Sequence, residues 1–151
     1  MQTRRKTLKH SAALVGLLAS TGLFPHYALA YNKGAFEAKS LADAVKALGA
    51  SAPTESKDVV IGGPDIAENG AVVPLTASTT LAGVKHMLVL VEKNPAAMVA
   101  MFNVSPTGEA NFATRAKMGQ SSDVYAVAVM ADGRALFAKK EVKVTLGGCG
   151  G

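Results

Sequence analysis

The 151-residue sequence has one cysteine, no tryptophan and an aromatic fraction of only 5%. A single cysteine excludes an intramolecular disulfide, and it excludes a zinc cluster built on several thiolates. The absence of tryptophan weakens any reading that needs a strong aromatic stacking platform, as for single-stranded nucleic acid. Histidine is scarce as well, with His10, His26 and His86 in the whole chain. Charge of one sign is also missing from most of the sequence. The formal net charge is +5, but residues 1–30 hold Arg4, Arg5, Lys6 and Lys9 and no acid. Residues 31–151 therefore keep 12 basic and 11 acidic side chains, a net of +1. That balance leaves no basic footprint for nucleic acid. The length suits one domain with an extra segment and is too short for a two-domain cofactor enzyme. No cofactor and no metal are expected.

What is present begins with an export signal. A charged start precedes the apolar stretch Ser11 to Phe24, and Ala28-Leu29-Ala30 offers small residues at the two positions a signal peptidase reads. Cleavage is placed after Ala30. Thr3-Arg4-Arg5-Lys6-Thr7-Leu8-Lys9 resembles the twin-arginine motif, with Arg4 and Arg5 as its pair and Thr7 where Phe is common. The apolar run is shorter than the roughly 20 residues of a spanning helix. Gly16, Gly22 and Pro25 interrupt or end it. A stable membrane anchor is therefore not expected, and the implied destination is the periplasm.

The mature chain opens with a helix. Ser40 caps it, Asp43 completes a capping-box-like start, Leu41, Val45 and Leu48 recur at helical spacing, and Gly49 stops it. From Lys57 the pattern turns to strands. Expected strands are Val59–Ile61, Ala71–Ala77, Lys85–Val91, Ala97–Val104, Asn111–Lys117, Asp123–Met130 and Arg134–Leu146. Pro74 demotes the second of these to an edge or bulge. Asp132-Gly133 signals a hairpin. Seven short strands with turn signals between them predict an antiparallel β-sandwich, and the missing βαβ alternation excludes a Rossmann-type sheet. In the sixth strand Tyr125, Val127 and Val129 share one face, and Ala126, Ala128 and Met130 the other. Burial of both faces requires either a central place in the domain or a partner. The organisation read from the chain is 1–30 signal, 31–56 helix and linker, 57–146 sandwich and 147–151 arm.

The last five residues are Gly147-Gly148-Cys149-Gly150-Gly151. Glycine buries no side chain and visits φ > 0 freely, so this segment is predicted to be a flexible, thin arm. Such an arm can carry a thiol into a narrow channel where a flanking side chain would clash. Its thiolate can hold sulfur as a persulfide or S-thiosulfonate, but no general base or oxyanion hole is evident nearby. The arm reads as a substrate carrier and not as a catalyst. A prenylation box fails, because only two residues follow the cysteine. His86, the one mature histidine, starts an apolar strand and reads as structural. Met87 and Met130 read as core packing. Two other readings fit the residues. One is a structural sandwich that dimerises through a Cys149 disulfide. The other is a thiocarboxylate sulfur carrier acting through Gly150-Gly151.

The leader, the strand Val142-Lys143-Val144-Thr145-Leu146 and the terminal Gly-Gly-Cys-Gly-Gly together resemble the SoxY family of sulfur carriers in periplasmic thiosulfate oxidation. Asn94-Pro95 and Thr114-Arg115-Ala116-Lys117-Met118 are also similar to that family. The resemblance implies an immunoglobulin-like β-sandwich and a heterodimer with a SoxZ-like subunit. It implies covalent attachment of sulfur intermediates at Cys149. A haem c-type cytochrome would load the thiol, a hydrolase would release sulfate, and in some organisms a sulfane dehydrogenase would oxidise the remaining sulfur.

Overall fold

The structure, a computed structural model, describes residues 32–145. Two short helices come first, α1 (Lys33–Phe36) and α2 (Leu41–Ala47). Asn32 and Ser40 cap them, and the Ser40 hydroxyl accepts the Asp43 N–H at 3.1 Å. Gly49 closes α2 at φ 73°, a left-handed turn that a side chain would oppose. The expected helix is α2, and α1 is an additional turn before it.

Nine strands follow: β1 (Thr54–Glu55), β2 (Val59–Gly62), β3 (Ile66–Ala67), β4 (Val73–Thr79), β5 (Val84–Val91), β6 (Met98–Asn103), β7 (Ala110–Ala116), β8 (Ser122–Met130) and β9 (Ala135–Val144). They form an immunoglobulin-like sandwich. One sheet runs β1-β9-β8-β5-β6, with β3 also on β9, and the other runs β2-β4-β7. All pairs are antiparallel except those of β1 and β3, which lie parallel to the edge of β9. These two-residue strands were not expected from the sequence, because so short a run carries no alternation to read.

Pro74 is a correction. Its strand, β4, is central in the small sheet and not an edge. The proline is tolerated because β2 pairs only as far as Thr76, so at Pro74 the strand has β7 alone as neighbour.

The core has two layers. Between the sheets lie Val73, Leu75, Met87, Val89, Val91, Val124, Ala126, Ala128 and Val142. On the other face of the large sheet, Leu88, Leu90, Val127 and Val129 are covered by Ala35, Ala44 and Val45 of the helices. The double burial of β5 and β8 is therefore met within the chain. Burying each such Leu or Val side chain stabilises the fold by about 1.5–3 kcal/mol. Met87 is wholly buried and Met130 nearly so, as expected of core packing. At one flank Phe102 and Phe112 stack across the two sheets with centroids 4.5 Å apart.

Candidate functional site

Cys149 and the arm glycines Gly147, Gly148, Gly150 and Gly151 lie outside the described residues. So do Arg4, Arg5, Ala28 and Ala30. What the structure does place is the root of the arm, the end of β9 at Val144 and Thr145. Cys149 is four residues beyond Thr145 in the sequence.

Both sides of that root are bonded. On one side runs a strap, residues 63–72, which joins β2 to β4 and contains β3. The Lys143 N–H donates to the Asp65 carbonyl at 3.0 Å, and the Thr145 N–H donates to the Ala67 carbonyl at 3.1 Å. On the other side the Val144 N–H donates to the Ser121 hydroxyl at 2.9 Å. These alternate along the strand as the period of two requires.

The strap itself is pinned. Ala67 is buried in the inter-sheet core. The Met118 N–H donates to the Gly70 carbonyl at 2.7 Å. Any side chain at Gly70 would drive its Cβ to 2.2 Å from the Met118 carbonyl oxygen, so only glycine permits this approach. The Asn69 carboxamide accepts the Ala71 N–H at 2.9 Å and shapes the turn. From β9, the Lys140 ammonium donates to the Gly63 carbonyl at 2.6 Å and pairs with Asp65 at 2.8 Å. Lys140, by hydrogen bond and charge, holds the Asp65 carboxyl below its usual range. This exposed pair adds little stability by itself, but it ties the start of the strap to the strand that leads to the thiol.

The two internal segments that carried the family resemblance meet here. The Asn94 carboxamide donates to the Lys117 carbonyl at 2.9 Å. Ser122, the buried polar residue of this region, accepts the Lys93 N–H at 3.0 Å and donates to the Asp123 carbonyl at 2.9 Å. Among the described residues, every buried side-chain nitrogen and oxygen has a partner.

Elsewhere among the described residues, polar and ionisable side chains are scattered. His86 sits at the far end of β5, with its Nδ1 2.8 Å from the Asn103 side-chain oxygen. Burial is the main cause that pushes its pKa down. Among the described residues no group of three or more His, Cys, Asp or Glu could hold a metal ion. No helix among them is long and apolar enough to cross a membrane. An open cavity of about 770 Å³ lies between Lys57, Asp58, the 79–82 turn and Glu109. That is the end of the sandwich opposite the arm root.

Sequence reasoning missed the strap. The Asn69-Gly70 dipeptide was the available signal, since such a pair marks a turn. The closeness of Gly70 to Met118 is a long-range contact that no local pattern reveals.

Comparison with known proteins places the chain in a family. A family model described as sulfur oxidation protein SoxY matches residues 44–149, so the matched stretch ends on Cys149. No curated protein sequence matches the chain. The structure of the sulfur carrier protein SoxY from Chlorobium limicola f thiosulfatophilum is similar at 34% identity and a TM-score of 0.57. The match covers 62% of this chain and 84% of that one. Superoxide reductase (neelaredoxin) from Ignicoccus hospitalis matches at 17% identity and a TM-score of 0.52, over 58% of this chain and 80% of its own. At that identity the likeness is one of fold alone. A family match over most of the sequence, supported by a related structure at 34% identity, means that this chain belongs to the SoxY family of sulfur oxidation proteins.

Proposed function

We propose that the mature protein is a covalent carrier of sulfur intermediates, bound at Cys149 and presented to separate enzymes in the periplasm. The observation that carries this reading is the family match that runs to Cys149, the one cysteine in the sequence.

The Cys149 thiol loses its proton, and the thiolate joins the outer sulfur of thiosulfate. A sulfur–sulfur bond forms and two electrons leave to a haem c-type cytochrome, giving the cysteine S-thiosulfonate. Water then attacks the terminal sulfone in a hydrolase. The bond between that sulfone and the neighbouring sulfur breaks without further electron transfer. Sulfate and two protons depart, and a persulfide anion stays on Cys149. Where a sulfane dehydrogenase is present, it oxidises that sulfur on the arm. The carrier's own contribution is a fixed root at Thr145 and a thiol within reach of each client. A SoxZ-like subunit completes a heterodimer in this reading, and a twin-arginine signal exports the pair already folded.

Intact-mass measurement after incubation with thiosulfate and the cytochrome tests the proposal. The wild-type protein should gain the mass of one thiosulfonate group, and Cys149→Ser should gain nothing. An adduct that persists in Cys149→Ser rejects the reading. A disulfide-linked homodimer with no sulfur adduct favours a structural role instead.

A further inference from the structure

We propose that Ile66 and Val72 on the strap form the apolar centre of the surface on which client enzymes dock. The inference rests on the carrier reading of Cys149 and deepens it by naming the docking ground and the chemistry of its occupant. The occupant is an enzyme whose reaction centre lies at the end of a channel with an apolar rim.

The first argument is one of reach. Four residues separate Cys149 from Thr145. Fully extended, they span no more than about 13–14 Å. A reaction centre sunk several Å inside a client uses up part of that length. The mouth of the channel must then come to rest within a few Å of Thr145. A standard interface of about 800 Å² per partner extends roughly 16 Å from its centre. The ground around the arm root is therefore inside the interface whenever the thiol is in a client's channel.

The second argument is what occupies that ground. Among the described residues the exposed large hydrophobics are Val60, Ile66 and Val72, at 53%, 57% and 53% exposure. Two of these are on the strap. Ile66 pairs with Lys143, and its neighbour Ala67 pairs with Val144 and accepts the Thr145 N–H. Val72 follows the turn whose Gly70 packs against Val144 and Met118. A single exposed apolar side chain is ordinary. Two on one pinned segment beside the required contact point match the centre of a docking surface, with Glu68, Asn69 and Lys143 as polar surroundings. The strap's hydrogen bonds to β9 mean that these side chains are held ready, so little ordering cost falls on docking.

Val60 provides the internal contrast. It pairs with Ser78, about 17 Å along β4 from Val73 at 3.4 Å per residue. It belongs to the opposite end of the small sheet.

The test uses the full-length mature chain with its natural partner subunit. Loading of Cys149 by the cytochrome is measured over a range of carrier concentrations for wild type, Ile66→Asp/Val72→Asp and Val60→Asp. Reaction of the same thiol with a small disulfide reagent reports accessibility without a client. The double variant should lose about 10-fold or more in kcat/KM, mainly through KM. Its reaction with the small reagent and its unfolding temperature should be unchanged, and Val60→Asp should load as wild type. If the double aspartate variant does not fold, Ile66→Thr/Val72→Thr should still raise KM by about threefold.

Wild-type loading by a folded strap variant overturns the proposal, as does an equal loss in Val60→Asp. Loss of the partner subunit on purification also overturns it, by assigning the patch to that subunit. A wild-type protein that takes no adduct at Cys149 defeats the carrier reading itself, and so is distinguishable from failure of the docking surface.

Discussion

The sandwich has two ends, and they are made differently. At the arm end the 63–72 strap is stitched to β9 through Asp65, Ala67 and Lys140, and to the 117–121 turn through Gly70. At the far end the connections are ordinary turns. Gly83 and Gly133 take φ of 79° and 88°, and a Cβ at either would meet nothing within 4 Å. The 770 Å³ cavity and the described histidine are both at the far end. A search by cavity would therefore choose the end away from Thr145, where the strand leads on to Cys149. In a carrier the part that must be rigid is the base from which the reactive group departs, and the reactive group needs no pocket of its own.

The comparison can be broken most forcefully at the glycines. Gly70→Ala places a Cβ against the Met118 carbonyl at 2.2 Å. Backbone must move, and the expected loss is about 3 kcal/mol in chemical denaturation. Gly83→Ala meets open space and suffers only from its positive φ. Its expected loss is about 1–2 kcal/mol. Equal costs at the two sites would mean that the strap is no tighter than a surface turn.

A smaller effect is expected at Lys140. Lys140→Met removes the ammonium that ties Asp65 and Gly63 to β9. Global stability should fall by about 1 kcal/mol or less. Hydrogen exchange should nevertheless quicken at the Lys143 and Thr145 amides, which donate to the strap. Exchange should stay unchanged at the far end. The acid side of the stability profile should respond as well. The folded pKa of Asp65 lies below its ordinary 3.8, so its contribution is complete above 3.8 and is lost as pH falls through the folded value. Lys140→Met should flatten that slope.

The smallest expected effect belongs to the far end. Burial lowers the pKa of His86 from 6.5, with Lys85 adding to the shift and the Asn103 hydrogen bond opposing it. The folded state therefore favours neutral imidazole. Its stability contribution is complete above 6.5 and is lost as pH falls through the lowered folded value. Unfolding temperatures followed across that range should show a shallow decline that His86→Gln removes. Loading of Cys149 should not follow this titration, because His86 is remote from the arm root.

The long strands were legible in the sequence because each rests on local pattern. Alternation marked the long strands, and their two-faced apolar character in Tyr125–Met130 correctly separated the two layers that bury β8. Ser40, Asp43 and Gly49 delimited α2 by capping chemistry alone. The glycines around Cys149 raised the expectation of an arm from local composition alone, and they lie outside the described residues. What escaped depends on contacts between distant segments. β1 and β3 exist because β9 has a free edge, and Thr54 or Ile66 gives no sign of it locally. Pro74 was misplaced because the rule about edges applies residue by residue, and the end of β2 cannot be seen from β4. The strap was hidden for the same reason, since its bonds join residue 67 to 145 and 70 to 118.

Sulfur carried on Cys149, with the sandwich only positioning it, would leave a direct chemical signature. Trypsin cuts after Lys143, so the released peptide that begins at Val144 carries the sole cysteine. Mass analysis of that peptide, from protein purified natively out of cells oxidising thiosulfate, tests the claim most directly. Persulfide and thiosulfonate forms are expected on this peptide and on no other. Recovery of the peptide solely as free thiol or as a homodimeric disulfide, under the same conditions, would contradict the carrier reading.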